Sequence, residues 1–251
     1  MGRQLQDKVA LVTGASAGIG AAAARLFAAE GAAVVINARG AEQLERLAGE
    51  IRAAGGRAVA VVGDVADERT HSALIATALD RFGGLDIALN NAGLVGPVRP
   101  LAEVRAEEWA QVVAVNLTAA FLGAKSQVPA MLRRGGGSIL FTGSFVGSSV
   151  GLPGMGAYAA AKAGLMGLVR GLTADYAARG IRANALLAGG TDTAMAGDAD
   201  QREWAAGLHA VKRIAEPTEI ARAALFLASD MASFVAGSAL WVDGGNSAVK
   251  L

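Results

Sequence analysis

The chain has 251 residues, a formal net charge of +1 and 53% hydrophobic residues. This length and composition suit one large α/β domain with a sizeable core. With no cysteine and only two histidines, far apart in sequence, disulfides and thiolate chemistry are excluded and no metal site is predicted. Basic residues form no stripe interleaved with aromatics, so we expect no nucleic-acid partner. No signal peptide or membrane-spanning apolar run is visible, so we expect a cytoplasmic protein without a membrane partner.

Short apolar runs alternate with helical stretches along the chain. This alternation predicts a parallel sheet with helices on both faces, in a single domain over residues 1–251. Residues 188–200 are small and polar with little periodicity, and we expect a mobile loop there. A short lid helix is expected at 204–211, so that the lid covers about 188–212. The predicted strands cover residues 8–13, 33–38, 58–62, 86–89, 137–142, 181–187 and 238–242, and the predicted helices cover 21–29, 42–54, 68–81, 106–133, 157–178 and 217–228.

A glycine-rich turn, GASAGIG at residues 14–20, lies between the first strand and the first helix. Glycines allow the backbone to approach a pyrophosphate, and a helix N-terminus supplies N–H donors and the positive end of its dipole. The spacing is G-x-x-x-G-x-G rather than G-x-G-x-x-G. The position of the turn favours dinucleotide binding over the alternative, an ordinary tight turn.

The ends of the second and third strands bear on the identity of the cofactor. An acid that would hold the ribose hydroxyls is missing after the second strand, and Arg39 lies there instead. A guanidinium suits a 2′-phosphate, so NADP(H) is the predicted cofactor and NAD(H) remains possible. The alternative is a solvated loop arginine. Asp64, after the third strand, could cap the next helix or hydrogen-bond an adenine edge.

Tyr158 and Lys162 are four residues apart in a predicted helix, which puts both side chains on one face. An ammonium one turn away favours the phenolate and lowers the tyrosine pKa. Tyr158 could then donate a proton to a carbonyl oxygen or take one from an alcohol. By itself the pair is weak evidence, because a half-buried tyrosine beside a solvated lysine is common.

Two further polar side chains stand out. Ser144 ends the fifth strand, where a hydroxyl is held more rigidly than at the nearby Ser148 or Ser149. Asn116 lies in the middle of a predicted helix, which is mildly unfavourable unless its side chain has a role, structural or functional. The two histidines are not favoured for a direct role: His71 is expected on an exposed helix face and His209 in the lid.

Four motifs in this order, with VDGG at 242–245, resemble the short-chain dehydrogenase/reductase family, in its branch with one Rossmann domain. They are TGASAGIG at 13–20, NNAG at 90–93, Ser144, and the Tyr158/Lys162 pair. The resemblance implies an NAD(P)(H)-dependent oxidoreductase that interconverts a ketone or aldehyde and a secondary alcohol, with a doubly wound seven-stranded parallel sheet. Tyr158 would be the general acid/base, Lys162 would lower its pKa and bind the nicotinamide ribose, and Ser144 would bind the substrate carbonyl. Asn116 would hold a water in a proton relay.

The same resemblance implies the cofactor contacts and the assembly. A homotetramer is implied, with the helices that carry Asn116 and Tyr158 at one interface. The implied contacts are Gly14, Ser16, Gly18, Ile19 and Gly20 for pyrophosphate, Asp64 and Val65 for adenine, Asn91, Ala92 and Gly93 along the crevice, and Gly189, Thr191 and Thr193 on the nicotinamide side.

Three departures from the family pattern affect these expectations. Ala188-Gly189 stands where the family usually has Pro-Gly, which frees the start of the lid loop. Ser144 precedes Tyr158 by 14 residues, one more than is common, so the loop between them must bulge. Ala17 stands where many NADP-preferring relatives carry a basic residue, which leaves Arg39 as the 2′-phosphate partner.

The substrate is expected to be a hydrophobic ketone or secondary alcohol, because the candidate pocket walls are mostly apolar. A sugar dehydrogenase or 3-oxoacyl reductase remains an alternative, since fold and catalytic set do not fix the substrate. A dinucleotide-binding sensor without turnover is the alternative from another class. The candidate walls are Leu94, Val95, Val146, Leu152, Met155, Met195, Trp204 and Leu208.

Overall fold

A computed structural model of the chain describes residues 3–249. Seven parallel strands form one sheet in the order β3-β2-β1-β4-β5-β6-β7, which confirms the predicted doubly wound Rossmann fold. The strands are β1 (Val9–Thr13), β2 (Ala33–Ala38), β3 (Arg57–Val62), β4 (Ile87–Asn90), β5 (Gly137–Ser144), β6 (Ile181–Ala188) and β7 (Ala239–Val242). The helices are α1 (Gly18–Ala29), α2 (Ala41–Ala53), α3 (Glu68–Phe82), α4 (Ala106–Val113), α5 (Ala119–Arg133), α6 (Gly156–Tyr176), α7 (Ala199–Gly207) and α8 (Pro217–Ala228).

Helices cover both faces of the sheet. Helices α1, α2 and α8 pack on one face, where Phe27, Leu44 and Ile220 are fully buried. Helices α3, α5 and α6 pack on the other, with Leu74 and Met131 fully buried. Because the central strands are buried on both faces, they read in the sequence as continuous apolar runs rather than alternating ones.

The strand order reverses between β1 and β4, and a crevice opens there at the carboxyl ends of the strands. Neighbouring strands in register bring their last residues to this edge. Ser144, which ends β5, pairs with Ala188, which ends β6. The strand ends on which the sequence places functional residues therefore meet at one edge of the sheet.

The single helix predicted over residues 106–133 is interrupted. Between α4 and α5 the backbone forms a π-helical turn over Ala114–Thr118, with Asn116 at its centre. The Asn116 amide donates to the carbonyl of Val112, four residues earlier, at 2.9 Å. A side chain that bonds its own helix competes with the backbone ladder, and π-turns often mark functional sites. A second difference is that α1 begins at Gly18 rather than at residue 21.

The lid region contains more regular structure than its composition suggests. The helix predicted at residues 204–211 begins earlier, as α7. Asp198 accepts a hydrogen bond from the Gln201 backbone at 2.9 Å, and the Gln201 side chain accepts one from the Asp198 backbone at 3.0 Å. This D-x-x-Q pattern is a capping box, and it starts a helix in a stretch without clear periodicity.

His71 is not on an exposed face, contrary to expectation. Its side chain is buried, and Nε2 lies 2.8 Å from the carbonyl oxygen of Val65. Burial lowers the pKa of His71 and favours the neutral ring. Helical spacing gives a sign of this, since His71 shares one face of α3 with Leu74 and Ala78, three and seven residues later. In the described range, no helix is both long and apolar enough to cross a membrane.

Candidate active site

A cleft of about 680 Å³ runs along the carboxyl ends of the strands. The glycine-rich turn and Arg39 line one end, and Tyr158 and Lys162 line the middle. The other end is apolar. Two of the predicted residues lie behind its wall: Gly20, which packs against the Gly14 carbonyl, and Asn116. The remaining predicted residues line the cleft, namely Gly14, Ser16, Gly18, Ile19, Arg39, Asp64, Val65, Asn91, Ala92, Gly93, Ser144, Tyr158, Lys162, Gly189, Thr191 and Thr193.

The glycine-rich turn has the form that a pyrophosphate requires. Gly14 has φ +64°, and a Cβ there would lie 2.8 Å from the Cα of Ala92, so only glycine fits. Ala17 precedes α1, no side chain caps the helix, and no acid lies in its first turn. The first N–H groups of α1 are therefore available to an anion, at the positive end of the helix dipole. These residues fit a dinucleotide.

The Asn91 side chain joins three strand ends at the bottom of the crevice by hydrogen bonds. Its Nδ2 donates to the carbonyls of Thr13 (3.1 Å) and Gly14 (3.3 Å), and its Oδ1 accepts from the Thr142 hydroxyl at 3.1 Å. The amide therefore links the ends of β1, β4 and β5. The surface that the NNAG segment offers to a ligand is largely backbone.

Tyr158 and Lys162 lie on the cleft-facing side of α6, one turn apart, beside Ser144 at the end of β5. All three side chains are buried. Lys162 Nζ donates to the carbonyl of Thr142 at 2.7 Å and lies 5.7 Å from the centroid of the Tyr158 ring. The Ser144 side chain lies beside the Tyr158 hydroxyl, and its Oγ accepts from the backbone of Val146 at 3.1 Å. A reacting oxygen in the cleft can thus meet the Ser144 and Tyr158 hydroxyls together.

Burial shifts the pKa values of both Lys162 and Tyr158. It lowers the pKa of Lys162 to about 8 from an ordinary 10.5. It raises the pKa of Tyr158, and the neighbouring Ser144 hydroxyl opposes that rise. Burial therefore has the largest effect on the pKa of Tyr158 in this structure, and the lowering of that pKa by Lys162 stays a prediction.

Asn116 lies beside Lys162 but behind the cleft wall. Its amide clamps the backbone of Leu94, donating to the carbonyl at 2.8 Å and accepting from the N–H at 3.3 Å. A small cavity of about 10 Å³, lined by Asn116, Thr142 and Lys162 among others, adjoins it. That volume holds about one water. The proton-relay role stays a prediction.

At the end of the cleft that Arg39 lines, the structure separates the alternative roles of Asp64. Its Oδ1 accepts from the backbone of Ala66 at 2.9 Å, and the cap of α3 is Asp67, which accepts from Arg69 N at 2.9 Å. The capping interpretation of Asp64 is therefore wrong, and its adenine contact stays a prediction. Arg39 is exposed in the cleft, and no ion pair within residues 3–249 involves it.

The lid brings its threonines to the cleft. Thr191 donates to the carbonyl of Gly189 at 3.0 Å. Thr193 reaches the start of α1, where a Cβ on Gly18 would lie 2.8 Å from its Cγ2. The loop after Ser144 contains a tight turn, in which Gly147 N donates to the carbonyl of Val150 at 2.8 Å. That this loop bulges relative to the family stays a prediction.

Two features of the site escaped sequence reasoning. The Thr142 carbonyl is the partner of Lys162, and a backbone carbonyl leaves no mark in the residue type. His209 is buried in the lid with both ring nitrogens near backbone groups, and a lone histidine gives no sign of such contacts. Within the described residues, no three histidine, cysteine or acidic side chains come together as metal ligands would.

Comparison with known proteins agrees with this geometry. A family model described as Enoyl-(Acyl carrier protein) reductase matches residues 14–247. The cis-4-hydroxycyclohexanecarboxylate dehydrogenase of Sinomonas cyclohexanicum is 44% identical over 99% of this chain and 100% of its own length. The cyclohexanol dehydrogenase of Acinetobacter sp. (strain SE19) is 38% identical over 97% of this chain and 96% of its own.

Among solved structures, a short-chain type dehydrogenase/reductase from Mycobacterium marinum superposes with a TM-score of 0.94. It is 32% identical, over 98% of each chain. Sequence, fold and relatives agree over nearly the whole chain, which confirms the family predicted from the motifs. The chain belongs to the short-chain dehydrogenase/reductase family of NAD(P)-dependent oxidoreductases.

Proposed function

We propose that this enzyme interconverts an uncharged cyclic secondary alcohol and its ketone, with NADP(H) as the preferred cofactor. The observation that carries the proposal is the abrupt change along the cleft, from the polar Ser144/Tyr158/Lys162 group to an apolar chamber. The chamber is lined by Leu94, Val95, Val146, Leu152, Met155, Met195, Trp204 and Leu208. Apolar walls with few convergent polar groups are typical of sites for small hydrophobic ligands.

The residues of the chain divide the proton chemistry between them. Bound nicotinamide supplies or accepts the hydride. Tyr158 takes the hydroxyl proton of the alcohol in oxidation and returns it to the carbonyl oxygen in reduction. Ser144 donates a hydrogen bond to the same oxygen and orients it. With a pKa of about 8, Lys162 can exchange a proton near neutral pH and holds charge beside the tyrosine.

The dinucleotide is proposed to lie along the residues described above. The glycine-rich turn and the start of α1 would hold the pyrophosphate, Asp64 and Val65 the adenine, and Thr191 and Thr193 the nicotinamide side. Tyr158 and Lys162 would bind the adjoining ribose. Among the described residues, the charged side chains that line the cleft are Arg39, Asp64 and Lys162.

Because so few charged side chains line the cleft, we can predict which substrates the enzyme prefers. Arg39 and Lys162 lie outside the apolar chamber, so a substrate carboxylate there would lose its hydration without a partner. We expect kcat/KM for cyclohexanol to exceed that for cis-4-hydroxycyclohexanecarboxylate by about 5- to 150-fold, since an unpaired buried polar group costs about 1–3 kcal/mol. The measurement is NADP⁺ reduction followed by absorbance.

The panel also includes glucose, assayed with NADP⁺, and a 3-oxoacyl thioester and an aryl ketone, assayed by the oxidation of NADPH. Faster turnover of the carboxylate or of glucose would contradict the proposed substrate class. Tight NADPH binding with no turnover of any compound would instead support the alternative function, a dinucleotide-binding sensor without catalysis.

The preference for NADP(H) makes a second prediction, at Arg39. Arg39→Ala removes the cation proposed to pair with the 2′-phosphate, while NADH carries no such group. We expect NADPH affinity to fall by about 1.5–3 kcal/mol, or roughly 10- to 150-fold, with little change for NADH. Dissociation constants from nicotinamide fluorescence measure both. Arg46→Ala, at an exposed position on α2 outside the cleft, is the control, and equal losses for NADPH and NADH in Arg39→Ala would reject the assignment.

We also propose the homotetramer that the resemblance implies. The supporting observation is that two large apolar side chains are exposed on the helices flanking Asn116. Trp109 on α4 and Phe121 on α5 are 40% and 51% exposed. Exposed apolar side chains of this size are common at interfaces between subunits.

A further inference from the structure

The lid is bound to the sheet through the side chain of His209. This residue follows α7 directly, and its ring is buried. On one side, Nδ1 lies 2.6 Å from the carbonyl oxygen of Ala205, in the last turn of α7. On the other side, Nε2 lies 2.9 Å from the backbone nitrogen of Gly190, two residues after β6. One ring therefore joins the lid helix to the segment that leaves the sheet.

The two partners fix the protonation state of the ring. A carbonyl oxygen only accepts, so Nδ1 must carry the hydrogen that it donates to Ala205. A backbone N–H only donates, so Nε2 must offer its lone pair to Gly190. His209 is thus neutral with the hydrogen on Nδ1. The first bond gives the Ala205 carbonyl a second partner, since this carbonyl also accepts from the backbone N–H of Leu208 at 3.2 Å.

The chain on the other side is shaped to receive the ring. A Cβ on Gly189 would lie 2.6 Å from His209 Nε2, and one on Gly190 would lie 3.0 Å from Cε1. Glycine at both positions lets the imidazole lie directly against the backbone. The Gly190 carbonyl accepts from Ala215 N at 2.8 Å, so both polar groups of this residue are bound.

The bound segment carries residues of the proposed site. Thr191 and Thr193 follow Gly190 directly, and Trp204 and Leu208 lie on the α7 side of the link. The ring of Phe145, next to Ser144, meets the His209 ring edge-on with centroids 6.0 Å apart. A displacement of His209 would therefore move both the nicotinamide side of the cleft and the substrate wall.

We propose that His209 is a positioning residue that locks the lid over the cleft through its bond with Gly190. Ala188 is held in the sheet as the last residue of β6, and the lock restrains the two glycines that follow it, Gly189 and Gly190. The link itself rests on the contacts of His209. The effect of this link on turnover also rests on the proposed function.

Three substitutions separate the two bonds. The amide oxygen of His209→Gln reaches about as far as Nε2 and can accept from Gly190. The shorter His209→Asn can bond Ala205 only, and His209→Leu bonds neither. Hydrogen exchange of peptides covering residues 189–212 measures the lock without any substrate. We expect exchange to rise at least about tenfold in the Leu and Asn variants and to return close to the wild-type rate in the Gln variant.

Enzyme kinetics then test whether the lock affects the binding of the alcohol and of NADPH. In the Leu and Asn variants we expect KM for the alcohol and Kd for NADPH to rise by about three- to tenfold, with kcat changed less than KM, and the Gln variant to recover. The lock is overturned if the Leu variant keeps wild-type exchange at 189–212, or if Asn rescues exchange as well as Gln does. If exchange follows the expected pattern but wild type does not turn over cyclohexanol, the proposed function fails and the lock stands.

Discussion

Tyr158→Phe is expected to reduce kcat by about 10²- to 10⁴-fold, the usual contribution of a positioned general acid/base. The phenyl ring fills the same buried space, so the loss reports the hydroxyl and not the fold. The hydroxyl is the group that can pass a proton to the substrate oxygen beside Ser144. The dissociation constant for NADPH, measured by fluorescence, should change by less than about threefold, because the other cofactor contacts remain.

The chain supplies a matched control for this experiment. Tyr176 is the only other tyrosine, near the end of the same helix, outside the cleft and beside Arg179. Tyr176→Phe should leave kcat and KM at wild-type values. Strong residual turnover in Tyr158→Phe, with NADPH binding intact, would move the acid/base role to another group. Loss of both turnover and cofactor binding would indicate a damaged fold and would call for a thermal melt of the variant.

Lys162→Met is expected to produce an enzyme that is more stable and nearly inactive. Burial lowers the pKa of Lys162 from 10.5 to about 8, so the folded protein holds the ammonium at a cost below pH 8. A shift of this size corresponds to about 3 kcal/mol. Part of the gain is lost, since the Thr142 carbonyl loses the donor that now lies at 2.7 Å. We expect a net gain of about 1–2 kcal/mol in the free energy of unfolding at pH 7.

The sign of the pH dependence follows from proton binding. Between pH 8 and 10.5 the unfolded chain holds the Lys162 proton and the folded protein has released it, so the wild type gains stability as the pH rises. The Met variant has no ionisable group at this position, so its stability does not gain from this proton release. Its advantage should therefore be largest below pH 8 and shrink as the pH rises toward 10.5. Urea unfolding of both proteins at pH 7, 9 and 10.5 measures the difference.

Turnover is measured on the same samples. We expect kcat of Lys162→Met to fall by at least about 10²-fold, because the charge and the exchangeable proton beside Tyr158 are removed. Lys125→Met, at an exposed position on α5 where the ammonium meets Glu68 at 2.7 Å, is the control and should lack both effects. A Met variant less stable than wild type at every pH would mean that the bond to Thr142 outweighs the desolvation of the ammonium.

The sequence by itself determined the layers of the fold and most of the cleft. Apolar runs between helical stretches predict a buried parallel sheet, because only strands covered on both faces can be apolar throughout. A glycine-rich turn between a strand and a helix predicts an anion site from local geometry. Ser144 and the Tyr158/Lys162 pair could be found because each marks a place that the topology fixes, a strand end or one face of a helix.

Only the tertiary structure decided the features that depend on distant parts of the chain. Lys162 bonds a carbonyl 20 residues earlier, Asn116 clamps Leu94 across 22 residues, and His209 reaches Gly190 across 19. These partners are backbone groups, which every residue carries, so no residue type identifies them. The raised pKa of Tyr158 also depends on distant parts of the chain. Desolvation depends on everything packed around a side chain, and a sequence pattern records only its neighbours along the chain.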